Sequence, residues 1–164
     1  MLGAIPYLAR RAARTVALPM TQAIAAHVER LPPRQRAQVL LEWLHERVRF
    51  EPDPNEWTEG DLYQSPRSTW TARRGDCDDS APLLAAMLRA AGLRSRLVAM
   101  SSERYGWQPR HVSVQAYLPC CAGCRSGRWE WTWAEPTIQG ARLGEHPAAA
   151  ALRTRKSAAR GDLR

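Results

Sequence analysis

The sequence lacks long apolar runs and contains very little lysine. No apolar stretch approaches the roughly 20 residues that a membrane-spanning helix needs, which excludes a membrane-embedded protein. Lys156 is the one lysine among 24 basic residues, so arginine supplies nearly all of the positive charge. The N-terminal region also lacks an apolar segment followed by a small-residue cleavage site, so no secretion signal is predicted. We therefore expect a soluble, cytoplasmic protein with no membrane partner, whose N-terminus forms an amphipathic helix.

The net charge of +8 raises the question of nucleic-acid binding. Basic residues attract phosphates whatever the base sequence, but here they are spread along the chain and are densest in residues 147–164. That segment is predicted to be a basic, flexible tail. We expect no specific nucleic-acid partner. The less favoured alternative, a basic nucleic-acid-binding protein, predicts salt-dependent affinity for DNA or RNA.

Apolar residues recur at helical spacing in two regions. Residues 24–50 indicate two helices, the second started by prolines. Residues 1–44 are expected to form an N-terminal helical segment that precedes the core. Residues 81–91 indicate a buried helix that stops at Gly92, and Cys77 lies at or just before its first turn. Pro82 is unusual there, and it predicts a helix that begins late or bends. The loop of residues 51–66, rich in Pro, Asp and Gly, is expected to be ordered at the surface.

Three later segments indicate strands. Residues 94–100 form the first, and residues 111–118 alternate polar and apolar side chains in the second. In residues 128–134 tryptophans alternate, and a turn-rich segment before them predicts an antiparallel hairpin with the second strand. Centring this hairpin on Gly123 sets Leu118 opposite Arg128 and His111 opposite Glu135. The tryptophans could line a substrate groove, although a place in the core is the favoured interpretation.

Cys77, His111 and Glu135 are the residues that could carry chemistry. A cysteine at a helix N-terminus meets free N–H groups and the positive end of the helix dipole, which favour the thiolate. A carboxylate beside an imidazole fixes the tautomer whose second nitrogen faces a nucleophile. Three aspartates around Cys77 oppose ionisation, so activation requires a cationic partner. The alternative is structural: a buried cysteine, a strand histidine and a surface acid, and the spacing alone does not decide between the two.

The motifs around these residues resemble the transglutaminase-like superfamily. GDCDDSAPLLAAMLRAAGLRSRLV is similar to its nucleophile segment, HVSVQAYLP to its histidine strand, and WTWAEPT to its carboxylate element, in which Asp is the common residue. The upstream loop resembles that of small bacterial and prophage-encoded members. The resemblance covers roughly residues 45–146, the expected core domain. It implies an α+β, papain-like fold in which a nucleophile helix packs on a small antiparallel sheet, with N-terminal helices added.

The resemblance also implies an activity. Cys77 would attack a protein or peptide amide, His111 would serve as base and Glu135 would orient it, giving a thioester that water or an amine resolves. The protein would thus be a cysteine protease, deamidase or transglutaminase that needs no cofactor. The alternative is a catalytically degenerate binding or assembly protein, associated with a virion if the gene is of prophage origin.

Two groups of residues around this expected site stay open. The Cys77 N–H is an expected oxyanion donor, and Gln64 or Trp70 could be a second, against the simpler interpretation of Gln64 as an exposed loop residue. A cluster of three cysteines, Cys120, Cys121 and Cys124, offers one ligand too few for a typical structural zinc site. We therefore predict no metal, and a disulfide or free thiols remain as alternatives.

Overall fold

The protein combines helices with a small three-stranded sheet and a separate two-stranded pair. This computed structural model describes residues 5–16, 18–53, 63–101, 109–121, 127–151 and 153. The helices are α1 (Ile5–Thr15), α2 (Pro19–Val28), α3 (Pro33–Arg47), α4 (Pro66–Ala72) and α5 (Cys77–Ala90), and the strands are β1 (Arg49–Phe50), β2 (Arg74–Gly75), β3 (Ser95–Ser101), β4 (Pro109–Pro119) and β5 (Trp129–Ala134). The predicted α+β class is confirmed. Most of the predicted loop of residues 51–66 lies outside the described residues.

The sheet is antiparallel, in the order β3-β4-β5, and β1 pairs with β2 in a separate parallel pair. On β4 the even-numbered residues from Val112 to Leu118 are completely buried against the helices. This agrees with the alternation in the sequence, because successive side chains of a strand point to opposite faces. We call the face of the even-numbered β4 residues the inner face, and that of the odd-numbered ones the outer face.

Helix α5 is the centre of the core. Its residues from Cys77 to Leu88 are all buried, and it packs on α1, α2, α3, β3 and β4. Leu83, Leu84, Met87 and Leu88 have no exposed surface, so the apolar face predicted for this segment is confirmed. The helices before it add Leu8, Leu40 and Leu44 to the same core. The amphipathic N-terminal helix is thereby explained: Leu8, Ala12 and Thr15 form its buried side.

The start of α5 corrects one expectation. Pro82 suggested a late start, but the helix begins at Cys77, with Asp76 as its N-cap. The Asp76 carboxylate accepts the N–H of Asp78 at 3.1 Å, and the Asp76 carbonyl accepts the N–H of Ser80 at 3.0 Å. Capping of this kind fixes the first turn. Pro82 removes one backbone N–H donor from the helix, which is otherwise continuous.

The register of β4 and β5 differs from the expected one by two residues. Leu118 is opposite Glu130, and Val114 is opposite Ala134. Glu135 therefore follows the end of β5 and continues this register opposite Ser113. A shift of two residues keeps every side chain on its face, so His111 and Glu135 still share the outer face. The prediction of direct opposition was wrong, and the prediction of a shared face was right.

The tryptophans of β5 correct a second expectation. Trp131 and Trp133 pair with Tyr117 and Gln115, on the outer face, and Trp129 is 43% exposed. The inner face of β5 instead carries Thr132 and Ala134, which are buried. The favoured interpretation of the tryptophans as core residues was therefore wrong. Alternation shows that such residues share a face, but it does not identify the face that meets the helices.

The ends of the expected domains are as follows. Helix α3 runs without a break across the expected boundary at residues 44 and 45, and the division itself stays a prediction. Residues 147–151, expected to begin a flexible tail, are helical, with Ala150 completely buried. Arg153 pairs with Glu145 at 2.8 Å.

Among the described residues, no helix has the length and apolar character needed to cross a bilayer.

Candidate active site

Cys77 lies where α5 meets β4. It is the first residue of the helix and is nearly buried, at 9% exposure. The N–H of Tyr117 bonds to Arg94, just before β3, so the odd-numbered residues of β4 direct their backbone groups to β3 and the even-numbered ones to β5. Strand β5 ends opposite Val114 and offers no partner to the N–H of Val112. That N–H bonds instead to the sulfur of Cys77.

The electrostatics of this position favour the thiol. Burial is the largest influence and raises the pKa of Cys77 well above its ordinary value, and the charge of Asp76 raises it further. The Val112 N–H lowers it, whereas Asp78 and Glu135 add to the increase. The predicted position at a helix N-terminus is therefore correct, but the expected preference for thiolate is outweighed. Of the three acids that the sequence set against ionisation, Asp76 and Asp78 act as predicted.

His111 and Glu135 form a hydrogen-bonded pair. Nε2 of His111 is 2.9 Å from Oε2 of Glu135, whose side chain has no exposed surface. Oε1 of Glu135 accepts the N–H of Thr137 at 2.9 Å and its hydroxyl at 2.7 Å. Burial acts to raise the pKa of Glu135, but the hydrogen bond and charge of His111 and the donors of Thr137 hold it below its ordinary value. The pair uses Nε2, so Nδ1 is the nitrogen of His111 that faces away from Glu135.

The contact depends on the length of the glutamate. The observed register ends with Ala134 opposite Val114. Extended by one residue, it sets Glu135 opposite Ser113 and makes it a diagonal neighbour of His111. Diagonal Cβ atoms are about 7 Å apart or slightly less, a gap that long side chains can bridge. The extra methylene of glutamate, compared with aspartate, supplies this reach.

Two further residues fix Glu135, and neither was identified from the sequence. Thr137 is part of the WTWAEPT motif, so its place in the motif was the available signal. His45 of α3 donates from Nε2 to the backbone carbonyl of Glu135 at 2.8 Å. It is 90 residues away in the chain, and nothing in the local pattern of α3 singles it out. Together these contacts fix both the main chain and the side chain of Glu135.

The two possible oxyanion donors have other partners. Gln64 gives its backbone N–H to Oδ1 of Asp79 at 2.6 Å and its side-chain amide to Oδ2 at 2.7 Å. The indole of Trp70 stacks on Trp43 with centroids 4.5 Å apart. The structure thus joins Gln64 to the helix of Cys77 through Asp79, and it turns Trp70 toward α3. The simpler interpretation of Gln64 as an exposed loop residue is not what the geometry shows.

Three acids surround the start of α5. Oxygens of Asp76, Asp78 and Asp79 lie within 4.8 Å of one another, a spacing that could suit a hard cation with oxygen ligands. Burial raises the pKa of Asp79 to about 6, against the hydrogen bonds from Gln64 and together with the charges of Asp76 and Asp53. Asp76 is also the helix cap and Asp79 holds Gln64, so these carboxylates have structural partners. They carry no metal assignment, and the predicted absence of a metal stays a prediction.

The cysteine cluster is described only in part. Cys121 is disulfide-bonded, which removes it as a zinc ligand. Cys124 lies outside the described residues. Of the alternatives left open by the sequence, the disulfide is therefore the one that the structure favours.

Comparison with known proteins places this site in a family. A family model of the transglutaminase-like superfamily matches residues 22–136. No curated protein matches the chain. A proposed protease from Parabacteroides distasonis is similar in structure, with a TM-score of 0.54 and 16% identity over 76% of this chain and 25% of that one. This likeness supports the fold.

Two other structures are more distant. The periplasmic domain of TgpA from Pseudomonas aeruginosa gives a TM-score of 0.49 with 20% identity, over 79% of this chain and 48% of that one. A proposed cysteine protease from Cytophaga hutchinsonii gives 0.45 with 18% identity, over 77% and 44%. The chain thus spans between a quarter and a half of the length of these structures. Because the family model covers most of the chain and includes all three candidate residues, this protein belongs to the transglutaminase-like superfamily.

Proposed function

We propose that the protein is a thiol hydrolase or acyltransferase that acts on protein or peptide amide bonds. Cys77 is the nucleophile, His111 the base and Glu135 the carboxylate that orients the base. The observation that carries this proposal is the 2.9 Å bond between His111 and the buried carboxylate of Glu135, next to a cysteine at a helix N-terminus. Membership of the superfamily and the likeness in fold support a thiol enzyme.

The first step transfers the proton of the Cys77 thiol to Nδ1 of His111. Because the pKa of Cys77 is raised, this transfer accompanies the attack on the substrate and does not precede it. The sulfur bonds to the amide carbon, and the carbonyl oxygen becomes an oxyanion. The N–H of Cys77, one of the unpaired donors at a helix start, is suited to stabilise that oxyanion. Glu135 stabilises the positive imidazole that results.

The second step breaks the bond between the amide carbon and nitrogen. His111 returns its proton to the departing nitrogen, which leaves as an amine or as ammonia, and a thioester on Cys77 remains. Water or an amine then attacks the thioester, His111 takes a proton from the attacking group, and the thiol is regenerated. The acceptor determines whether the reaction is proteolysis, deamidation or transglutamination.

A second candidate function is a catalytically degenerate binding or assembly protein. The observation that favours it is the raised pKa of Cys77, produced by burial and by the acids beside the sulfur. In such a protein the His111–Glu135 pair would have only a structural role, and neither the wild type nor a Cys77 variant would form products from amides.

The test measures three products from one protein substrate, methylated casein with added dansylcadaverine. New amino termini report proteolysis, released ammonia reports deamidation and bound dye reports transglutamination. We expect one of these in the wild type and a loss of at least 100-fold in Cys77→Ala and His111→Ala. Cys120→Ala is the matched control, because Cys120 is half-exposed and lies beyond the end of β4. Its activity should stay within twofold of the wild type. Absence of all three products would favour the binding protein, and activity that persists in Cys77→Ala would refute Cys77 as the nucleophile.

A further inference from the structure

The outer face of the sheet carries a cluster of cationic and aromatic side chains. We call it the arginine–aromatic surface, and it consists of Arg94, Arg96, Tyr117, Trp129 and Trp131. The guanidinium of Arg96 lies 4.3 Å from the ring centre of Trp131, and that of Arg94 lies 5.1 Å from the ring of Tyr117. Tyr117 in turn contacts Trp129 and Trp131, with ring centres 5.8 and 5.2 Å apart. The rings thus hold both arginines in place.

The charge of this surface is not neutralised within the described residues. Both arginines are exposed, and neither has an acidic partner among the described side chains. Arg96 uses Nε and one terminal nitrogen on Oε1 of Gln115, at 2.8 and 2.6 Å, which leaves its Nη1 available. Arginines that are fixed on aromatic rings are pre-organised, so they lose less side-chain freedom on binding an anion.

The surface is aligned with the candidate active site. His111 and Tyr117 lie on the same strand and, by alternation, on the same face. The six residue steps from one to the other correspond to roughly 20 Å along the strand. An extended peptide advances by the same distance per residue as a strand does. A substrate held at Cys77 and running along β4 would therefore bring a side chain about six residues from its reactive amide to the two arginines.

The geometry favours carboxylates over nucleic-acid bases as the bound groups. Single-stranded nucleic acids bind by stacking bases on open aromatic faces. Here the rings of Tyr117 and Trp131 are occupied by the arginines and by each other. What the surface presents is the remaining guanidinium N–H groups, including Nη1 of Arg96, which can donate to carboxylate oxygens.

We infer that the arginine–aromatic surface is an exosite for acidic side chains of a polypeptide substrate, about six residues from the amide that reacts at Cys77. This inference rests on the proposed function for its link to catalysis, but binding at the surface can be measured without catalysis. It narrows the substrate class to polypeptides with an acidic segment near the reactive amide.

The test uses the full-length Cys77→Ala protein and two fluorescent peptides of equal length, octaglutamate and octaglutamine. Arg94→Glu/Arg96→Glu removes the surface, and Arg30→Glu/Arg67→Glu makes the same change in net charge at two exposed arginines elsewhere. By fluorescence anisotropy we expect octaglutamate to bind at least tenfold more tightly than octaglutamine. The surface variant should lose at least tenfold in affinity for octaglutamate, and the control should change by less than threefold. Circular dichroism checks that both variants are folded.

Three results would overturn the inference. Equal losses in the two variants would show that net charge alone attracts the peptide. Tighter binding of an oligothymidylate than of octaglutamate, lost in the surface variant, would mark a nucleic-acid surface. Absence of octaglutamate binding at low salt would exclude the exosite. If octaglutamate binds as expected but no amide product forms in the casein assay, the exosite stands and the proposed activity fails.

Discussion

Replacing Glu135 by aspartate, which is one methylene shorter, should weaken this site. The register pairs Ala134 with Val114, so its extension by one residue sets Glu135 opposite Ser113, and the carboxylate must cross a diagonal to reach His111. Removing one methylene withdraws the carboxylate by about 1.5 Å, the length of one carbon–carbon bond. The present distance of 2.9 Å would then exceed about 4 Å unless the backbone moved, and His45 holds the backbone carbonyl in place.

The magnitude follows from the contacts that are lost. A hydrogen bond to a charged group contributes about 1.5–3 kcal/mol, and an uncollapsed methylene-sized gap adds about 1 kcal/mol. Glu135→Asp should therefore lower the free energy of unfolding by about 3 kcal/mol. For a domain of this size that corresponds to a decrease in melting temperature of roughly 6–12 °C. Turnover should fall by at least tenfold, because the imidazole loses the group that orients it.

Two measurements check this prediction. Calorimetry gives the melting temperature, and the casein assay gives the Cys77-dependent rate. Glu130→Asp is the matched control, since Glu130 lies on the same strand with an exposed side chain, and it should change neither value appreciably. A Glu135→Asp protein as stable and as active as the wild type would refute the argument from register.

Three further predictions concern charges and donors near the nucleophile. Asp76→Asn keeps a helix cap but removes a charge that raises the pKa of Cys77, so iodoacetamide should alkylate Cys77 severalfold faster relative to Cys120, as measured by peptide mass spectrometry. The folded-state pKa of Asp79 is raised to about 6, so the folded protein holds this proton more tightly than the unfolded chain does. The free energy of unfolding should therefore fall by up to roughly 3 kcal/mol as the pH rises from about 4 to 6. Asp79→Asn should remove this part of the pH dependence, as measured by urea titrations. Thr137→Val removes a 2.7 Å donor to the buried carboxylate of Glu135 and should cost about 1.5–3 kcal/mol of stability, whereas Thr137→Ser should retain most of it.

Each of these predictions has a clear contrary result. An alkylation rate unchanged by Asp76→Asn would mean that access to the sulfur, and not ionisation, limits the reaction. A wild-type stability that rises from pH 4 to 6 in step with the Asp79→Asn variant would show that Asp79 is not the group concerned. Equal losses in Thr137→Val and Thr137→Ser would point to the threonine methyl group instead of the hydroxyl.

The sequence predicted the elements of this fold better than their alignment. Alternation identified β4 and its two faces, because burial of Val112 and Val114 requires a period of two. The register depends on the turn between β4 and β5, where the composition favours several hairpins about equally, and the prediction was shifted by two residues. That shift changed the partner of His111 from direct to diagonal but left the face correct.

The environment of the candidate residues was harder to predict. The position of Cys77 followed from helix-start signals, but its burial depends on how α5 packs against four other helices and the sheet. The contact of His45 with Glu135 joins residues 90 positions apart, and no local pattern encodes it. The tryptophans of β5 were assigned to the core because aromatic residues on alternating strand positions are more often buried, whereas Arg94 and Arg96 cover Trp131 on the outer face. In each case the missing information was the tertiary neighbour and not the local structure.

The environment of Cys77 changes how its reactivity should be interpreted. Glu135, which orients His111, also raises the pKa of Cys77, as do Asp76 and Asp78. A resting site of this kind holds a buried thiol, so slow alkylation at neutral pH is expected of an active enzyme as much as of a degenerate one. In the proposed mechanism, substrate binding would exclude water and bring the carbonyl carbon that the sulfur attacks, and the thiol proton would then move to His111. The casein assay, and not thiol reactivity, therefore separates the two candidate functions.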